Sequence, residues 1–164
     1  MKETFEDKYA GLEQKAEQVK PLLSAHYKKN KKKIEKMDTL VHQLHEKYSM
    51  KVNCLECARC CKSLGPAIYD KDIERISKVL RMKPSDMVDK YLKIDEDGDY
   101  VFRSMPCPFL LPDNYCMIYE ARPKACREYP HTDRKRFSQI FNLSIKNTST
   151  CPIVYGVMTE LINK

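Results

Sequence analysis

Cys54-Leu55-Glu56-Cys57-Ala58-Arg59-Cys60-Cys61 places four thiols within eight residues. Packing alone gives no reason for that density, because a buried cysteine behaves as a small hydrophobe with no required spacing. A Cys-x2-Cys step turns two thiolates toward one metal through a tight backbone knuckle, and here two such steps share Cys57. Three thiolates so close on one loop suit a polynuclear cluster, in which different metal atoms take successive ligands. Cys61 follows Cys60 directly. Successive side chains usually diverge, so this pair is expected to serve two sites, or two edges of one cluster. The stretch therefore calls for irregular loops folded around metal.

Four further cysteines follow, Cys107, Cys116, Cys126 and Cys151, and none precedes residue 54. Eight thiolates divide evenly into two four-thiolate sites. The spacing favours Cys54, Cys57 and Cys60 as one core set completed by a distal cysteine. Cys61 is then expected beside members of the set Cys107, Cys116, Cys126 and Cys151, with the pairing left open. All eight are candidate metal ligands; the competing reading for Cys151 is a buried apolar residue. The Cys-x2-Cys-x2-Cys run also opens the bacterial ferredoxin pattern, whose later cysteine is followed by proline. The cysteines followed by proline here are Cys107 and Cys151.

The rest of the chain sets bounds. Its 164 residues are 42% hydrophobic and 32% charged, with a mean hydropathy of -0.61. That predicts one domain, or a small domain with a helical extension. No apolar run is long enough for a membrane span. The opening Met1-Lys2-Glu3-Thr4-Phe5-Glu6-Asp7 is acidic and has no apolar core of the secretory kind, so a cytoplasmic location is expected. In that reducing compartment clustered cysteines bind metal more often than they form disulfides. With 4 Gly, no glycine-rich phosphate loop is present. No Ser/His/Asp set or HExxH motif points to a hydrolase.

The formal charge of +7 counts cysteine as neutral. Eight thiolates holding two divalent ions would bring it to about +3, so the basicity partly offsets ligand charge. Lys28-Lys29-Asn30-Lys31-Lys32-Lys33 reads as a solvated helix face, and without interleaved arginine or aromatics it does not support nucleic-acid binding.

The fold class predicted is mainly α, with irregular metal-binding loops and a small β-hairpin. Residues 1–50 are expected as an N-terminal helical extension and 51–164 as the cysteine-cluster domain. Phe5, Tyr9, Leu12, Ala16 and Val19 share one helix face, and Pro21 is expected to interrupt it or to start a new helix. Ile34, Met37, Val41, Leu44 and Tyr48 form a heptad-like seam. Together they suggest a helical hairpin, or a helix packed on the cysteine domain, with a possible surface for a protein partner. Predicted helices span 4–19, 22–48, 71–81, 85–92 and 152–162, with Asp70 and Ser85 as N-caps. Residues 94–102 read as a hairpin turning at Asp97-Gly98, and 117–136 as mostly irregular.

Cys54-x2-Cys57-x2-Cys60-Cys61, with Cys107-Pro108-Phe109-Leu110, Cys116-Met117-Ile118-Tyr119 and Arg122-Pro123-Lys124-Ala125-Cys126-Arg127-Glu128-Tyr129-Pro130, resembles the CxxCxxCC (YkgJ-like) cysteine-cluster family over about residues 50–155. The resemblance implies a zinc- or iron-chelating domain; flagellin lysine N-methylases carry a similar one linked to an iron–sulfur cluster. An iron–sulfur centre, [4Fe–4S] in type, used in redox or protein modification is the favoured expectation. The alternative is a non-catalytic zinc module engaging a protein partner. A thiol-based sensor ranks third. Arg122, Lys124 and Arg127 are expected to offset thiolate charge. His131 is read as a loop residue and the His42/His45 pair as a solvated face, neither as ligands. Tyr119 and Tyr129 are expected to pack around the site.

Overall fold

The computed structural model describes residues 9–164, so the start of the predicted first helix, including Phe5, lies outside the described residues. The chain is mainly helical with one two-stranded antiparallel hairpin, as its sequence predicts. It divides into two compact units, one made of residues 1–57 and 130–164, the other of 58–129.

In the first unit, α1 (Leu12–Ile34) and α2 (Asp38–Ser49) pack on two C-terminal helices, α8 (Phe141–Asn147) and α9 (Pro152–Leu161). The seam is legible: Ile34, Val41 and Leu44 are buried, as are Val154, Val157, Met158 and Leu161 across from them. The boundary between the first two helices is not where Pro21 predicted it. Helix α1 runs through Pro21 and kinks at Asn30 (φ -119°, ψ 18°). Pro21 and Glu17 are both exposed, a position at which the carbonyl left without a helix partner is open to water. At Asn30 the side-chain amide donates to the His26 carbonyl at 3.0 Å, competing with the backbone ladder. All five lysines of the run are exposed. Tyr27 stacks on Phe141 with centroids 4.5 Å apart and donates its hydroxyl to the Ser138 carbonyl. The Asp38 carboxylate accepts the amides of Arg136 (2.6 Å) and Phe137 (3.0 Å), fixing the loop that leads into α8.

The second unit is built around Ile68, Ile73, Ile76, Met87, Leu92, Phe102, Phe109, Ile118 and Ala121. Helices α5 (Asp70–Leu80) and α6 (Pro84–Tyr91) lead into strands β1 (Leu92–Ile94) and β2 (Tyr100–Phe102), with Leu92 opposite Phe102. The turn is closed by Asp95, whose carboxylate accepts the amides of Asp97 and Asp99, and by Gly98 at φ 85°. Both helices begin one residue before their predicted starts. Tyr69 rather than Asp70 is the N-cap of α5, its amide held by Asp72, and Lys83 precedes Pro84 at the start of α6. Part of the stretch read as irregular is ordered: a 3-10 turn at Tyr119–Ala121 and a short helix α7 (Lys124–Glu128). Segments of three to five residues are too short to show a helical period.

Candidate metal centre

The cysteine loop is two helical turns joined by a reversal. Asn53 nucleates the first: its side-chain oxygen accepts the Leu55 amide at 3.1 Å and its carbonyl accepts the Cys57 amide at 3.0 Å. The turn α3 (Cys54–Cys57) ends at Ala58, whose φ of 45° is left-handed, and α4 (Arg59–Ser63) begins again after it. A non-glycine residue in that region costs about 1–2 kcal/mol. The reversal makes the loop two short turns instead of one helix.

In the second unit four thiols lie in one another's electrostatic field. Cys61 is held near Cys107 by the backbone, since the Cys107 amide donates to the Cys61 carbonyl at 2.8 Å. Cys107 and Cys116 pack on the same apolar core, and an isolated bridge between Leu110 and Cys116 joins their segments. Burial pushes the Cys107 thiol up to about 11, against the amides of Phe109 and Leu110, which point at its sulfur. Burial also raises Cys116, opposed by the Ile118 amide. Cys126 is pushed up to about 12, first by burial and then by Cys61, Cys107 and Cys116. Cys61 goes the other way, down to about 7: the Cys60 thiol, 4.0 Å away, hydrogen-bonds to its sulfur, and Arg122 adds a positive charge.

Arg122 is fixed for that purpose. Its guanidinium lies 3.6 Å from the Tyr119 ring centroid and its Nε donates to the Tyr119 carbonyl at 2.7 Å. It favours the thiolate forms of Cys61, Cys116 and Cys126, which is the charge-offsetting part expected of it.

In the first unit, Cys151 is buried and shares a field with Cys54 and Cys57. Burial pushes its thiol up to about 12, against the amides of Ile153 and Val154. Cys151-Pro152-Ile153-Val154 thus repeats what Cys107-Pro108-Phe109-Leu110 does in the other unit. The proline sets the turn, and the two following amides aim at the sulfur.

One anchor went unread in the sequence. Asp72, 2% exposed, pairs with Arg75 at 2.6 Å and accepts the amides of Tyr69 and Lys124. Arg75 in turn donates to the Arg122 carbonyl at 2.6 Å. The pair therefore clamps the segment that carries both Arg122 and Cys126. In the sequence Asp72 is one of the carboxylates of the helix's first turn, where they favour the helix dipole; its spacing of three from Arg75 is the signal that could have marked the pair. The histidines do not gather. His42 Nε2 meets the Arg134 carbonyl at 3.0 Å, and His45 Nδ1 meets the Thr132 hydroxyl at 2.7 Å. His131 lies in a turn at φ 64°.

The donor chemistry fits a thiophilic ion. Among the described residues no three His, Cys, Asp or Glu side chains are drawn together tightly enough to hold an ion as they stand. Neighbouring thiols instead raise one another's pKa, and a bound cation reverses that repulsion. Amides directed at sulfur, half-buried cysteines and a fixed guanidinium define a cysteine-cluster metal-binding domain. A family model, CxxCxxCC, described as "Putative zinc- or iron-chelating domain", matches residues 53–152, and the chain belongs to this family. No curated protein and no solved structure matches it. Among the described residues, no helix is long and apolar enough to cross a membrane.

Proposed function

We propose that the cysteine cluster, with all eight cysteines as candidate ligands, holds iron–sulfur chemistry, [4Fe–4S] in type with four thiolates to each cluster, that serves redox or a protein-modification reaction. The observation that supports this is the grouping of Cys61, Cys107, Cys116 and Cys126 in one field beside Arg122. A bound cluster supplies one-electron chemistry. The chain's own residues do the rest. The amides of Phe109, Leu110 and Ile118 spread the negative charge of the sulfurs they face. Arg122 offsets the charge that remains, and the partial burial of Cys107 and Cys126 reduces water at the sulfurs. Residues 51–164 carry this function in our reading, and residues 1–50 are a helical extension to it.

The second reading is a non-catalytic zinc module. It draws on the Cys-Pro turns with amides aimed at sulfur, which suit a tetrahedral ion equally well. A protein partner would meet the outer faces of α1 and α2, where Leu22 is exposed and Met50 lies just past the end of α2, because the inner faces are covered by α8 and α9.

Purification without oxygen, followed by metal and sulfide analysis and a visible spectrum, tests both. Brown protein with sulfide matching iron supports the cluster. Colourless protein with stoichiometric zinc overturns it in favour of zinc, whose d10 ion has no such absorption. A chain that holds neither metal overturns both.

A further inference from the structure

We infer that Cys61, Cys107, Cys116 and Cys126 form one centre within residues 58–129, and that Cys54, Cys57 and Cys151 belong to a second, reached from solvent through Cys54. This rests on the metal-binding reading and fixes a pairing that spacing leaves open.

Three observations carry it. The first is tertiary: Cys61, Cys107, Cys116 and Cys126 belong to one compact unit, as does Cys60, and Cys54, Cys57 and Cys151 belong to the other. The second is the backbone. The Cys107 amide bonds to the Cys61 carbonyl, the Leu110–Cys116 bridge joins the next two segments, and Asp72 clamps the Lys124 amide two residues before Cys126. Four chain segments are thus tied side by side with one thiol from each. The third is the repeated Cys-Pro turn, one in each unit, with two amides aimed at each sulfur. Amides directed at sulfur stabilise a ligated thiolate, and such a turn in each unit gives each centre its own anchor.

The two centres differ in access. Cys54 is exposed, whereas no cysteine of the other set is, and Cys107 and Cys116 lie against the apolar core. A chelator reaches a metal through exposed ligands, so the centre containing Cys54 releases its metal first.

The test uses the whole chain loaded with Co2+ without oxygen, because cobalt reports each thiolate bond by charge-transfer absorption. The parent is expected to bind two Co2+. Cys107→Ser/Cys126→Ser should lose one, and Cys126→Ser/Cys151→Ser should lose both. If both double variants lose the same amount, the pairing is wrong. Where a variant fails to fold, the parent chain still decides. A limiting chelator followed by alkylation and mass spectrometry should label Cys54 and Cys57 well before Cys61, Cys107, Cys116 and Cys126, while the buried Cys151 reacts slowly in any case. Labelling of those six in parallel overturns the two-centre assignment. A chain that takes up no cobalt overturns the metal-binding reading instead, so the two failures are distinct.

Discussion

At the scale of single residues, the chemistry is set by how each thiol is surrounded. Cys57 is shared by two overlapping Cys-x2-Cys steps, and serine cannot replace it, because a hydroxyl does not ionise readily and is a harder donor. Cys57→Ser is expected to lower bound metal by about one site's worth, while His131→Ala leaves it unchanged. Elemental analysis of both proteins purified without oxygen checks this; equal metal in Cys57→Ser and the parent would remove Cys57 from the ligands. The thiols also predict a pH dependence. In the metal-free chain Cys126 and Cys151 are raised from an ordinary value of 9.0 to about 12. The folded state therefore keeps its protons where the unfolded state has lost them. Their contribution to stability is intact below about pH 9 and is lost as pH rises toward about 12. Urea midpoints of the metal-free protein should fall across that window, and a flat profile would contradict the burial of these thiols. Asp72 is the residue whose loss should be felt furthest. Asp72→Ala leaves Arg75 without its carboxylate and the Lys124 amide without its acceptor. It should cost about 2–4 kcal/mol, moderated by the partial exposure of Arg75. Chemical denaturation measures it, and a change below about 0.5 kcal/mol, the range of ordinary surface substitutions, would rule out the clamp.

At the scale of elements, the close contact of α2 with α9 depends on one glycine. A Cβ at position 156 would overlap the ring of Tyr48. That ring cannot easily move, because its hydroxyl donates to Glu160 at 2.8 Å and Lys47 bonds the same carboxylate at 2.6 Å. Gly156→Ala should therefore destabilise the first unit by about 1–3 kcal/mol, even though alanine favours helix more than glycine does. A thermal melt that rises instead would show that the ring yields. The helices also show where local preference gives way. Pro21 is a strong local breaker, yet α1 continues through it at an exposed position, where solvent can serve the Glu17 carbonyl that the proline leaves unbonded. The chain breaks instead between Ile34 and Asp38, where the seam turns to cover the C-terminal helices. Two C-terminal segments, the 3-10 turn Phe137–Ile140 and α8, lie outside the predicted helices, although Phe137, Phe141 and Ile145, all buried, recur four apart.

At the scale of the whole molecule, a polar chain with two modest cores gains from metal, since binding to a site absent in the unfolded chain adds directly to folding. Structural thiolate sites supply about 10–16 kcal/mol in small domains. Chelation, or loss of a cluster in air, should lower the melting temperature sharply; a metal-free chain melting cooperatively at the parent's temperature would show that metal does not hold the fold. The sequence by itself determined the class of protein. Four thiols in eight residues, two Cys-Pro steps and the Arg122-to-Pro130 run have no reading in packing, so the cysteine-cluster family and its mainly helical frame were visible in residue types and spacing. Periodicity likewise exposed the long helices, because repeated burial on one face leaves a mark at every third or fourth residue. What only the tertiary structure decided is which thiols become neighbours, that Asp72 and Arg75 clamp the Cys126 segment, and that C-terminal helices cover the N-terminal seam. Spacing along a chain fixes distances over a few residues. Cys61 and Cys126 are 65 positions apart, and only the packing of the segments between them brings their sulfurs into one field.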